Sequence, residues 1–536
     1  MADGNQPCNP PNATPPPAAP MDGPPADQVN SEHIGSFLNN LLAQPAVQQH
    51  LDGVRYRVLY TQAIENLDKS VVAAQPRRWV SVIYDYTNNR TLEAAADFPA
   101  ATNVSVATGS QQPLPSAEEW EEAVEIVRRD DQFGRWLTCN LLTAYRAMPA
   151  LLLNPGPTGE MERTLTVGLL PAPGSVATHQ IVGVNMVTQR AETFTTQYPE
   201  TSLADNQTCG IPPFYCPSPQ RGTPGQFWLS WPATNPVWRF LAIRPAASSG
   251  ISGSGLELRF VDYRGKRVLY QAHVPILNVK YDGDVCGPYR DWQYDEHCFQ
   301  CDGVDVGPGF RRANTVPQTA CSGSDAGNFT GVAIFETECE LILTTEMEAG
   351  WYRYIQEWRF HVDGTIRPRF KFTATTNSCV CNVHNHHCYW RFDFDIRTPG
   401  YNLVEEYNNP PIIPNTNWHK KVYEIKRYRD YGRHRKWRIS NTQSGETYEI
   451  IPGPTDGIAD IYGRGDLWVV RYHSTEIDDG GFGPGTEAGI DKFVNGEVVE
   501  NQDVVVWYGA HFRHDVREQG PAECHEVGPT LRLIKW

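Results

Sequence analysis

The sequence predicts a mainly β protein, with small α+β units in its first part and a large antiparallel β-sandwich after them. Three observations predict it. Aromatic residues reach 11%, through 15 Trp, 24 Tyr and 20 Phe, and such rings suit pleated surfaces. Frequent turn signals come from 44 Gly and 42 Pro, and from about Gln226 onward short β runs alternate with Gly, Asn, Asp and Pro turns. Helix-like spacing shows before about Leu137, and few convincing helices follow from about Gln226. With 536 residues and 40% apolar content, the chain can bury a large core and divide into several domains. A net charge of -16, from 46 basic and 62 acidic residues, lacks the basic footprint of a nucleic-acid binder. No apolar run approaches the roughly 18 residues of a membrane span.

Residues 1–30 read as a Pro-rich flexible tail, without the basic and apolar regions of a signal peptide. A small α+β domain is expected over 31–111. Its helix covers 30–51 through Ile34, Phe37, Leu38, Leu41 and Leu42, strands follow at 54–60 and 79–86, and Asn88-Asn89 makes a turn. A second α+β domain, 112–215, opens after Pro113. Ser116 is its helix N-cap, Glu118 and Glu119 fill the first turn, and the amphipathic run extends to about Leu137. Strands at 164–170 and 180–188 follow it. The stretch 198–225 is rich in Pro, Gly and Cys and reads as a linker, leaving 226–536 as the β-sandwich domain. Thirteen cysteines cannot all pair within one chain, and both a cytoplasmic and a secreted location stay open.

Chemistry concentrates in Val383-His384-Asn385-His386-His387-Cys388-Tyr389-Trp390-Arg391-Phe392-Asp393-Phe394-Asp395. Residues two apart on a strand share a face. His384 and His386 therefore present two imidazoles to one side, as a copper or zinc site requires, or else they line a polar strand edge. Asp393 and Asp395 have the opposite parity, so an unbroken strand turns them away from the histidines. Two carboxylates with an intervening carbonyl suit a hard cation such as Ca2+; solvated surface acids are the plain alternative. A second segment, 503–518, runs an apolar strand into His511 and His514, and spacing alone does not choose which of them completes a metal site.

These residues resemble the copper amine oxidases, also called copper/topaquinone oxidases, from about Val54 to the end and most closely in the last two-thirds. The family's H-x-H pair followed by R-x-D-x-D is similar to His384, His386, Arg391, Asp393 and Asp395. Its closing D-[IV]-V-x-W-Y stretch with a later histidine resembles Asp503 to Glu518 without a gap. That resemblance implies His514 as the third copper ligand. It also implies a secondary calcium-type site made by Asp393, the Phe394 carbonyl, Asp395, Asp503 and the Val504 carbonyl. The segment 112–123 resembles the start of the family's third domain.

The family's precursor tyrosine, within T-x-x-N-Y-[DE], is similar to Tyr352 in Glu348-Ala349-Gly350-Trp351-Tyr352-Arg353. The resemblance implies that copper and oxygen convert this tyrosine to topaquinone. Here Glu348, Trp351 and Arg353 replace the usual threonine, asparagine and acid, which sets an indole and a guanidinium beside the ring. Asp295, in Tyr294-Asp295-Glu296-His297, resembles the general base, and Tyr281 the tyrosine that hydrogen-bonds the quinone. Cys301 matches one half of a family disulfide whose partner position, within 332–336, holds no Cys.

The implied activity is oxidation of a primary amine by O2 and water to an aldehyde, ammonia and hydrogen peroxide, in a homodimer. Copper, topaquinone and a secondary Ca2+ are the implied cofactors. The altered neighbours of Tyr352 point to a second reading, a copper-binding member without the quinone that performs another tailoring reaction on a small metabolite. A third is a non-catalytic, metal-stabilised binding module, against which the retained Tyr281, Asp295 and Tyr352 count. His361, His387 and His511 read as structural or surface residues.

Overall fold

The apolar spacing of Ile34, Phe37 and Leu41 forms a helix, Ser31–Leu42, but Pro45 starts a second one, Pro45–Leu51, instead of continuing the first. A proline in the helix interior would remove a hydrogen bond and clash with the preceding turn, whereas at the first helical position it costs nothing. The single expected helix over 30–51 is thus two. In this computed structural model the described residues are 31–536, except 65–68, 70–77, 193–208, 217–224, 245–254, 282–285, 287–288, 291–294, 480–487, 520–522 and the single positions 111, 149, 153, 173, 174, 176, 178 and 215. The Pro-rich tail lies outside them.

Both helices cover a four-stranded antiparallel sheet, Tyr56–Ile64, Arg78–Asp85, Arg90–Asp97 and Thr102–Gly109, in chain order. Phe37, Leu41, Val47 and Leu51 meet Trp79, Ile83 and Leu92 there. Ser116 caps the helix Ala117–Arg129 as its sequence demands, accepting from the Glu119 backbone N–H at 3.2 Å. The amphipathic run then breaks, and a short helix, Gly134–Thr138, follows. Gly134 sits so close to the preceding helix that a Cβ would lie 2.2 Å from the Arg128 carbonyl oxygen. Val124 and Val127 pack on a second sheet that includes Thr164–Pro171 and Gln180–Asn185, and the same core takes in Leu59, Val82 and Tyr86 of the first. A buried Arg163 holds both Glu119 oxygens at 2.6 Å, while the Tyr86 hydroxyl donates to Glu119 Oε1 at 2.6 Å.

From Gly225 the chain builds two large sheets. The first, nine-stranded, runs Gly225–Trp231, Trp238–Arg244, Glu257–Tyr263, Lys266–Tyr281, His384–Phe394, Val504–His514, Leu467–Arg471, Ile425–Arg427, with Tyr289–Arg290 alongside. The second, thirteen-stranded, sets Glu340–Ala349, Tyr352–His361 and Ile366–Ala374 side by side. Among the described strands, pairing is antiparallel apart from Phe310–Ala313 against Val332–Glu336. Between the sheets Trp358 meets Phe392, and Phe370 meets Trp390. A further cluster around Trp468, Ile490 and Phe493 covers the outer face near Tyr389 and Trp507. The His384–Phe394 strand is therefore buried on both faces along nearly its whole length.

The stretch 198–225, expected as a linker, is tied to the sandwich wherever it is described. Cys209 and Ile211 bridge to Asn377 and Thr375, and disulfides join Cys209 to Cys381 and Cys216 to Cys298. Two more disulfides link Cys286 to Cys379 and Cys321 to Cys524. Cys301 is free and buried. No helix among the described residues is long and apolar enough to cross a membrane.

Candidate metal centre and its surroundings

Strand alternation turns His384 and His386 into the space between the sheets, both fully buried, with ring centroids 5.0 Å apart. The pairing register sets His514, at the end of the closing strand, directly opposite His384. Their ring centroids lie 4.9 Å apart, and His514 Nδ1 is 3.2 Å from His384 Nε2. His384 Nδ1 is held by the Asn382 carbonyl at 2.6 Å, which fixes the tautomer and makes Nε2 the unprotonated, inward-facing nitrogen. The Tyr354 hydroxyl lies 3.3 Å from His386 Nδ1, and His386 Nε2 is buried without a hydrogen-bond partner among the described residues. Burial pushes His384 down to about 3 and His386 well below its ordinary value, so both imidazoles are neutral, the form that binds a metal. A buried orphan nitrogen beside neutral imidazoles is a donor set that fits a copper ion.

His511 has the opposite parity. It faces away from this centre and meets His387 across the strands, Nδ1 to Nδ1 at 2.8 Å, with Asp466 Oδ1 at 2.9 Å from its Nε2. Both of these histidines are buried, so neither is a surface residue.

Tyr352 opens the facing strand and reaches the same point. Its hydroxyl contacts His384 Nε2 and lies 3.0 Å from His514 Nδ1. The ring stands edge-on to His386, centroids 4.4 Å apart, and stacks on Tyr354 two residues along the strand. Tyr281 pairs with His384 in the register and stacks on its ring at 4.4 Å. The Tyr281 hydroxyl accepts from Trp351 Nε1 at 2.8 Å.

The guanidinium of Arg353 does not lie beside the Tyr352 ring. Adjacent residues on a strand point to opposite faces, and Arg353 turns into a separate buried charge cluster. There it holds Asp325 through two 3.0 Å contacts and lies 3.7 Å from Glu348. His297 spans the same two acids, 3.0 Å from each. Burial lowers the His297 pKa, but these two hydrogen-bonded carboxylates outweigh it and the net shift is upward. Burial likewise pushes the Glu346 carboxyl up to about 7. Sequence reading missed this cluster. The same-face pair Glu346 and Glu348 is its one local signal, and Asp325 and His297 come from distant loops. The backbone of Asp295 pairs with Glu348 at the edge of this region; its side chain is outside the described residues. His525 was also missed: its ring stacks on Phe512 and lies 5.1 Å from that of His514.

On the opposite parity of the His384–Phe394 strand, Asp393, Asp395 and Asp503 converge as a hard-cation site would require. The Phe394 carbonyl accepts from Asn402 Nδ2 at 3.2 Å, and Val504 pairs opposite Phe394. The centre of the three carboxylates is taken by the Lys69 ammonium, at 2.7 Å from Asp393 Oδ1, 2.7 Å from Asp395 Oδ1 and 2.8 Å from Asp503 Oδ1. As the residues stand, the set is matched to an ammonium and does not fit an added Ca2+.

No protein-family model matches the chain. Two curated Arabidopsis thaliana proteins are similar to it. The copper-containing amine oxidase gamma 2 is 24% identical over 264 residues, covering 38% of this chain and 37% of that protein. Primary amine oxidase 1 is 25% identical over 268 residues, covering 38% and 40%. The match thus spans about two-fifths of these relatives' length. Among solved structures, a copper-containing benzylamine oxidase from Hansenula polymorpha superposes with a TM-score of 0.62 at 12% identity, over 93% of this chain and 96% of that one. The Pichia pastoris lysyl oxidase gives 0.57 at 13%, over 94% and 89%. The fold is that of the copper amine oxidases, and the sequence likeness is that of a divergent relative.

Proposed function

We propose that this chain is a copper-dependent oxidoreductase that converts a primary amine, O2 and water to an aldehyde, ammonia and hydrogen peroxide, using a quinone made from Tyr352. The observation that carries this reading is the Tyr352 hydroxyl lying against the inward nitrogens of His384 and His514. A copper ion held by His384, His386 and His514 would supply the one-electron chemistry that oxidises a phenol and reduces O2. The protein's own residues do the rest. Tyr281, stacked on His384, fixes the plane of that ligand, and the burial of Tyr352 excludes bulk water from its ring. Asp295 is the base that takes the proton from the carbon bearing the amine. In this reading the units 31–111 and 112–215 flank the catalytic unit 226–536, and two copies associate as a homodimer.

One observation favours a second reading. The Trp351 indole already holds the Tyr281 hydroxyl, the group that would otherwise hydrogen-bond a quinone. A chain in which Tyr352 stays a phenol would use copper for another oxidation of a small metabolite. Phenylhydrazine titration of the copper-loaded, aerated protein separates the two, followed by visible absorbance and by the mass of the Tyr352 peptide. A coloured stoichiometric adduct on that peptide is expected. An unmodified Tyr352 with full copper occupancy would replace amine oxidation with the second reading.

A further inference from the structure

The acidic site at the far end of the His384–Phe394 strand is filled from within the chain. Lys69 is separated in sequence by 324 residues from Asp393 and by 434 from Asp503. It stems from the connection between the first two strands of the N-terminal sheet, Tyr56–Ile64 and Arg78–Asp85. Its side chain is only 10% exposed, and its Nζ meets one oxygen each of Asp393 and Asp395 and both oxygens of Asp503, the second at 3.0 Å. These are the lengths of charge-assisted N–H···O bonds. The ring faces of Tyr472 and Tyr270 lie 4.1 and 4.8 Å from the same nitrogen.

Taken together, these features suit an organic ammonium in the place of a metal ion. Ca2+ takes six to eight oxygens at about 2.3–2.6 Å. Here the cation is flanked by two aromatic faces, which attract an ammonium through the ring quadrupole but offer no ligand oxygen. Nor can the two cations share the space: an ion at the centre of the three carboxylates would coincide with Nζ.

We propose that Lys69 is a tethered cation that takes the place of a divalent metal at Asp393, Asp395 and Asp503. It makes this end of the sandwich independent of calcium and clamps the N-terminal sheet to it. The clamp is a charge contact between segments far apart in sequence, so its loss is felt by the whole fold.

The test uses the full-length, copper-loaded protein, with elemental analysis after equilibration in CaCl2 and melting curves in CaCl2 and in EGTA. The wild type is expected to carry no stoichiometric calcium and to melt at the same temperature in both. Lys69→Met should melt lower in EGTA and recover part of the loss in CaCl2, with one calcium gained per chain. One calcium per wild-type chain, lost together with thermal stability in EGTA, would overturn the proposal, and this readout does not depend on the variant folding. A Lys69→Met protein that melts with the wild type in EGTA would overturn it as well.

Discussion

The two faces of the His384–Phe394 strand carry two separate groups of imidazoles, and single substitutions distinguish them. His384 and His386 turn their nitrogens towards Tyr352 and His514, whereas His387 faces His511 and Asp460, and His511 in turn meets Asp466. Replacing His384 with Ala removes a ligand nitrogen and the acceptor of the Tyr352 contact. Copper affinity should then fall by more than the roughly 10–100-fold that losing an outer-shell partner costs. His511→Ala should retain full copper, because its ring belongs to the other face. Copper per chain, measured by elemental analysis for both variants, checks the assignment; copper loss from His511→Ala alone would reverse it.

At the level of elements, the hairpin of Glu340–Ala349 and Tyr352–His361 shows strand parity dividing two kinds of chemistry. One face delivers Tyr352 and Tyr354 to the imidazoles; the other gathers Glu346, Glu348 and Arg353 around Asp325 and His297. Glu346 is nearly inaccessible, and burial raises its carboxyl from an ordinary value near 4.5 to about 7. Between those values the unfolded chain has released a proton that the folded chain keeps. Stability therefore falls as pH rises through that window and levels off above about 7. Glu346→Gln keeps an acceptor for the Ala320 N–H and removes the titration. It should match the wild type in acid and exceed it by up to about 3 kcal/mol above neutrality. Urea unfolding on either side of the window measures this, and a difference that stays constant with pH would count against the buried-carboxyl account.

Across the whole molecule, disulfides staple distant segments to the sandwich. The Cys209–Cys381 bond spans 172 residues and attaches the 198–225 stretch beside Asn377, while Cys321–Cys524 spans 203 and anchors the segment that carries His525. Closing such long loops restricts the unfolded chain more than the folded one. The Cys209→Ser/Cys381→Ser pair of substitutions should cost about 2–5 kcal/mol, read by calorimetry, and should leave the pairing of His384 with His514 intact. Bonds of this kind persist in oxidising surroundings.

Local chemistry is what the amino-acid order determines here. The period of two assigns His384 and His386 to one face and Asp393 and Asp395 to the other, the Ser116 cap starts its helix, and turn signals announce the sandwich. The same period separates Arg353 from Tyr352, which side-by-side reading of the motif had hidden. Pairing register is a different kind of quantity. It depends on which strands the core brings together, so only the folded molecule decides that His514, not His511, stands opposite His384. Lys69 is the extreme case. No spacing links it to Asp393, Asp395 or Asp503, because the contact joins segments hundreds of residues apart, and their meeting is fixed by the tertiary fold rather than by any local pattern.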